Sequence, residues 1–186
     1  MPTWLWILIA VAVAVVLAIV AYGAWRQSRT RSLKSTFGPE YERATTAADT
    51  RSEAEAELIE RKKRREELEI RALSPAARDR YLQRWEAVQA RFVDDPEGAV
   101  GEADNLIQQV MRERGYPVED FDQRAADLSV DHPNVVEHYR EGHAIATSDG
   151  EPGDARTEEL RQAMHHYRAL FDDVLVAERE EEEVRR

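Results

Sequence analysis

The sequence predicts an all-α protein: an N-terminal transmembrane helix, a long charged stalk helix, then a compact bundle of about five helices. Three observations carry this. Residues 4–25 form an uncharged apolar run. Residues 40–73 contain neither Gly nor Pro, and most positions from Arg51 to Arg71 are charged. Beyond Ser74, apolar residues recur at 3-4 spacing between Pro and Gly breaks, and no stretch alternates apolar and polar residues as a half-buried strand would.

The apolar run, WLWILIAVAVAVVLAIVAYGAW, covers roughly 33 Å as a helix, enough for a hydrocarbon core of about 30 Å. Trp4 and Trp6 stand at its start, and Tyr22 and Trp25 at its end, as rings do that favour the headgroup region. A cleaved secretory leader fits less well. No Lys or Arg precedes the run, it is too long, and Ala18-Ile19-Val20-Ala21 is a poor cleavage site. Arg26, Arg29, Arg31 and Lys34 follow, with no acid before Glu40. Positive charge beside a span stays cytoplasmic, so the N-terminus is expected outside and residues 26–186 in the cytoplasm. The same basic stretch suits anionic headgroups. Ala10, Ala14 and Ala18 share one helix face, a spacing that lets two spans pack together as a homo-oligomer.

The chain has 186 residues and a net charge of −11. The first 36 residues carry four basic groups and no acid, leaving about −15 on the remainder. Such a domain repels nucleic acid, and its expected partner is a basic or neutral protein. The absence of Cys excludes disulfides, thiolate metal sites and a catalytic thiol. The predicted organisation is therefore an anchor over 1–25, a basic juxtamembrane linker over 26–39, a stalk over 40–73, a bundle over 74–177 and a charged tail over 178–186.

Within the stalk, Glu57–Arg61, Glu60–Arg64 and Glu67–Arg71 are i,i+4 pairs in the favourable order. Ala54, Leu58, Leu68 and Ala72 lie near a heptad seam that Arg61 and Arg65 interrupt. A solvated helix is thus preferred over a dimeric coiled coil. The block Arg61–Arg65 (RKKRR), flanked by acids, reads as a solvated face.

Ser74-Pro75 and Asp95-Pro96 each place an N-cap before a Pro at the first helical position. The helices they open carry Tyr81, Trp85, Val88 and Phe92, then Val100, Ala103, Ile107 and Val110, the second ending at Gly115. Shorter helices follow Pro117 (Val118, Phe121, Ala125, Leu128) and Pro133 (Val135, Val136, Tyr139), with Gly142 expected to loosen the latter. A polar loop over 147–154 precedes the last helix, with Leu160, Met164, Tyr167, Phe171 and Val174. The spacing of Trp85, Tyr139 and Tyr167 indicates core, although an aromatic groove for a peptide would use the same residues.

No Gly-rich phosphate loop, nucleophile elbow, HExxH or Glu-x-x-His motif occurs. The sequence therefore predicts no enzyme and no cofactor. What remains is a group of histidines: the metal candidates are His138, Glu141, His143, His165 and His166, with His132 reading as a helix-start residue. His138 and Glu141 are three apart on one helix, and His143 is placed to face the core and meet His165 or His166 on the last helix. A hydrogen-bonded histidine is the preferred reading over a metal ligand. Arg124, Asp127, Asp131 and Arg140 read as an internal ion-pair network fixing how the two short helices pack, in preference to a groove.

The apolar run, FGPEYER, the charged helix, RFVDDPEGAV and RGYPVEDFDQRAADLSVDHPNVVEHYR together resemble a group of uncharacterised bacterial single-pass membrane-anchored helical proteins, often labelled hypothetical or secreted. The resemblance covers most of residues 37–175. It implies a bacterial membrane-associated protein and carries no activity or site residues; the expected location is the bacterial inner (plasma) membrane. The function expected is a membrane-tethered, non-enzymatic interaction or scaffold protein presenting an acidic bundle to a protein partner. The alternatives are a small-ligand or metal-binding sensor using the His-bearing helices 133–146 and 158–177, and an exported enzyme with a cleaved leader; the alternative location is exported or periplasmic-facing.

Overall fold

A computed structural model describes the backbone of residues 3–148 and 153–184 and the side chains of residues 4, 8, 12–148 and 153–175. Among these residues there are eight helices and no strand, so the all-α class holds. Helix α1 (Thr3–Phe37) runs without a break through the apolar run and the basic segment. The linker expected over 26–39 is thus helical through Phe37, because nothing between Trp25 and Gly38 interrupts a helix. Every described side chain from residue 12 to 28 is exposed, and then Leu33 and Phe37, one turn apart, are buried. Among the described residues no helix is long and apolar enough to cross a membrane. The anchor expected over 1–25 lies partly outside them, since residues 1–2 and the side chains of residues 3, 5–7 and 9–11 are not described.

Gly38 turns the chain at φ 45°, and Pro39 opens α2 (Pro39–Ala47). Helix α3 (Arg51–Glu67) begins with a reciprocal cap: Glu53 N–H donates to Thr50 Oγ1 and Thr50 N–H donates to the Glu53 carboxylate. The single stalk helix expected over 40–73 is therefore two helices, broken at Ala48–Thr50, followed by an extended segment. That segment lies against the end of the helix Pro96–Arg114, with Arg71 N–H donating to the Arg114 carbonyl at 2.8 Å. Nor does the charged region stand off as a stalk or coiled coil. Ala54 and Leu58 of α3 close a small core with Leu33, Phe37, Tyr41 and Ala44, and α3 packs on the helix Phe121–Asp131.

The remaining five helices form the bundle in the expected order: α4 (Pro75–Arg91), α5 (Pro96–Arg114), α6 (Phe121–Asp131), α7 (Val136–Thr147) and α8 (Asp154–Val184). Ser74 and Asp95 cap α4 and α5 by accepting from Ala77 and Gly98 N–H, each with Pro at the first turn. Gly115 ends α5 in the left-handed region at φ 102°. The core is built where the apolar stripes of α4, α5 and α8 meet. Trp85 stacks on Phe171 with centroids 4.5 Å apart, and Trp85, Tyr139 and Tyr167 are all buried. They are core, not the walls of a peptide groove.

Gly142 does not loosen α7. It is buried, and a Cβ there would sit 3.0 Å from the Tyr167 ring and 3.3 Å from His166 Cβ. Its missing side chain lets α7 lie close along α8, the most extensive helix pair in the fold. Residues 149–152 of the expected loop, and the side chains of the tail over 178–186, lie outside the described residues.

Candidate functional site

Two polar constellations arise from this packing. The first joins the N-terminal helices to the bundle. On α3, residues 54, 58, 61 and 65 share one stripe, apolar at Ala54 and Leu58 and cationic at Arg61 and Arg65. The arginines that interrupt the seam face acids on other helices. Arg61 Nη1 donates to Glu40 Oε1 at 2.7 Å, Arg64 Nε donates to Asp127 Oδ1 at 2.8 Å, and Arg65 pairs with Asp131. Arg140 of α7 reaches the same Glu40 with two donors, at 2.8 and 2.9 Å, and Arg43 donates to it at 3.0 Å.

Glu40 is only 2% exposed. Burial alone would raise its pKa, but the hydrogen bonds from Arg140, Arg43 and Arg61 outweigh this and hold it at about 2. The block RKKRR is thus not a uniformly solvated face. Arg61 is buried and Arg64 and Arg65 are half-buried, while Lys63 is exposed. Asp127, Asp131 and Arg140 do form ion pairs, as expected, but with Arg64, Arg65 and Glu40 and not with one another. Arg124 instead donates to the Val118 carbonyl at 2.6 Å. A cleft of about 470 Å³ lies over this network, bordered by Arg43, Arg61, Arg64 and Arg140 and by Glu57, Glu60, Asp120 and Asp122. Arg61, Arg64 and Arg140 are already engaged by internal carboxylates, so the arrangement functions as a clamp between α2, α3, α6 and α7.

The second constellation lies on the α7–α8 seam. His138 Nδ1 and His166 Nδ1 are 3.0 Å apart, and Glu141 Oε2 is 3.6 Å from the first and 3.2 Å from the second. Gly142 makes this approach possible. Burial lowers the pKa of His166, with His138 and His165 acting in the same direction and Glu141 opposing them. Of the five candidates, the structure brings together His138, Glu141 and His166. His165 is exposed. His143 does not meet α8 at His165 or His166: it stacks on Phe121 at 3.7 Å, and burial lowers its pKa. His132 is not a helix-start residue but the C-cap of α6. It is buried, with Nδ1 2.6 Å from Asp173 Oδ2 and Arg114 Nη1 3.4 Å from Nε2.

On α1, Trp4, Tyr22 and Trp25 are exposed, and the Arg29 guanidinium lies 5.5 Å over Trp25. Arg26 and Arg31 are exposed, while Lys34 pairs with Glu42 at 3.1 Å. Ala14 and Ala18 are exposed; the side chains of Trp6 and Ala10 lie outside the described residues. The roles of Glu40, Arg61, Arg64 and Arg65 were missed from sequence. The signal available was the continuous 54–58–61–65 stripe, which turns from apolar to charged without leaving one helix face.

Comparison of the chain with protein-family models, with curated proteins and with solved structures found no match.

Proposed function

We propose that this is a single-pass, membrane-tethered, non-enzymatic interaction protein whose acidic helical domain docks a protein partner from the cytoplasmic side. One observation carries the reading. Within one continuous helix, the side chains from residue 12 to 28 are exposed around the whole circumference, and Leu33 and Phe37 are then sealed into the folded domain. Over residues 12–25 the helix is apolar on every side and needs an apolar environment that no described residue of the chain supplies. The uncharged run begun by residues 4–11 brings it to the length of a bilayer core.

The clamp around Glu40 adds a mechanical consequence. In place of a long flexible tether, the domain is held directly at the end of the anchor helix, which fixes both its height above the bilayer and its orientation. Tethering in that geometry raises the effective concentration of the domain for a membrane-proximal partner. The acidic charge favours a basic partner surface, and Arg26, Arg29 and Arg31 lie where anionic headgroups would be. Ala14 and Ala18 leave room for a second copy of the span.

The test is photo-crosslinking from single positions on the exposed faces of α4 and α8 in the full-length protein in cells, followed by identification of the adduct. One recurrent partner, lost when Glu40→Ala loosens the domain from the anchor, supports the reading. Adducts that are diverse, or unchanged by that substitution, contradict it.

A further inference from the structure

We propose that His138, Glu141 and His166 bind a zinc-class divalent cation, through His138 Nδ1, Glu141 Oε2 and His166 Nδ1, which staples α7 to α8. On a tetrahedral ion with bonds of about 2.0–2.1 Å, two ligand atoms lie ~3.3–3.4 Å apart. The three separations found here are 3.0, 3.2 and 3.6 Å. The atoms therefore already stand close to the edges of a tetrahedral face.

Their chemistry points the same way. The two imidazole nitrogens and the carboxylate oxygen, each able to ligate a metal, lie within 4.8 Å of one another. A proton can bridge two of them, whereas a metal ion satisfies all three. Two imidazoles with one carboxylate is a donor set that suits zinc, and three protein ligands leave one position to solvent. His138 and Glu141 are 43% and 48% exposed, so an ion can enter. His166 is 20% exposed and anchored on the packed side of α8. The site is also held in place. His138 and Glu141 stand one turn apart on α7, and Gly142, beside them, allows the close approach to α8 that brings in His166.

This inference rests on the α7–α8 seam alone and is independent of the membrane reading. Its test uses the full-length protein in detergent, purified without a polyhistidine tag and titrated with Zn2+ against a chromogenic chelator. One equivalent should bind in the micromolar range or tighter and raise the thermal midpoint. His138→Gln and Glu141→Gln, at half-exposed positions, should keep the helical circular dichroism of the parent. Each should weaken binding by at least the roughly 10–100-fold that losing an outer-shell partner costs. His165→Gln, one residue from His166 and exposed, should leave affinity within about twofold, as expected for a residue outside the ligand set. No saturable one-equivalent binding would overturn the proposal. So would binding unchanged in His138→Gln and Glu141→Gln, or reduced as much by His165→Gln as by either.

Discussion

Arg61 on α3 donates to Glu40 on α2 at 2.7 Å, in a position where both side chains are buried. Glu40 also receives Arg140 from α7, so one carboxylate ties three helices together. Removing it leaves the guanidinium groups of Arg43, Arg61 and Arg140 without their shared partner. Glu40→Ala is expected to destabilise the fold by about 3–5 kcal/mol, the usual cost of breaking a buried pair from one side. Chemical denaturation at neutral pH reads this directly.

The same residue makes a pH prediction. Its folded pKa is about 2, below the ordinary 4.5. A depressed carboxylate stabilises the fold fully above its unfolded pKa, and that contribution disappears as pH falls through the folded value. The parent should therefore lose stability between about pH 4.5 and pH 2 more steeply than Glu40→Gln does. Equal slopes in the two proteins would remove Glu40 from the acid response.

Within the block RKKRR, the residues are not equivalent. Arg61→Ala uncovers Glu40 and should cost about 3 kcal/mol or more. Lys63→Ala, at an exposed position, should stay within about 0.5 kcal/mol. If both substitutions were neutral, the solvated face read from the local sequence would be right and the clamp wrong.

Three glycines should respond in different directions. Gly115→Ala places a Cβ at φ 102° and 2.5 Å from the Glu69 carbonyl oxygen, and should cost about 2–4 kcal/mol. Gly142→Val pushes α7 away from the Tyr167 ring and should cost about 2 kcal/mol or more. Gly101, on α5, has open space around it, so Gly101→Ala should stabilise by about 0.5–1 kcal/mol through helix propensity. Thermal melts of the three variants check the order.

These results show where local pattern suffices and where it does not. The bundle helices were legible because Tyr81, Trp85 and Val88 on α4, and Leu160, Met164, Tyr167 and Phe171 on α8, repeat at the helical period and bury what that period predicts. The caps at Ser74, Asp95 and Gly115 were legible because capping is local chemistry. The fate of α2 and α3 was not. Arg61 and Arg65 look like faults in an apolar seam until Glu40 and Asp131 appear opposite them, and Asp131 lies 66 residues from Arg65 in sequence. Gly142 reads as a weak point in a helix because only tertiary packing shows the Tyr167 ring beside it. The histidines were half legible. His138 and Glu141 were identified as one-turn neighbours, but the rotation of α7 that sends His143 to Phe121 and His138 to His166 depends on how Gly142 seats against α8.

The most direct measurement is the sidedness of the folded domain relative to a membrane. The chain has no Cys, and Val93, in the turn between α4 and α5, is 83% exposed. A Val93→Cys protein in intact spheroplasts should resist a membrane-impermeant maleimide and become labelled only after lysis, while remaining in the membrane pellet through alkaline carbonate. Labelling before lysis, or release of the protein by carbonate, would contradict a domain held on the cytoplasmic face by a spanning α1.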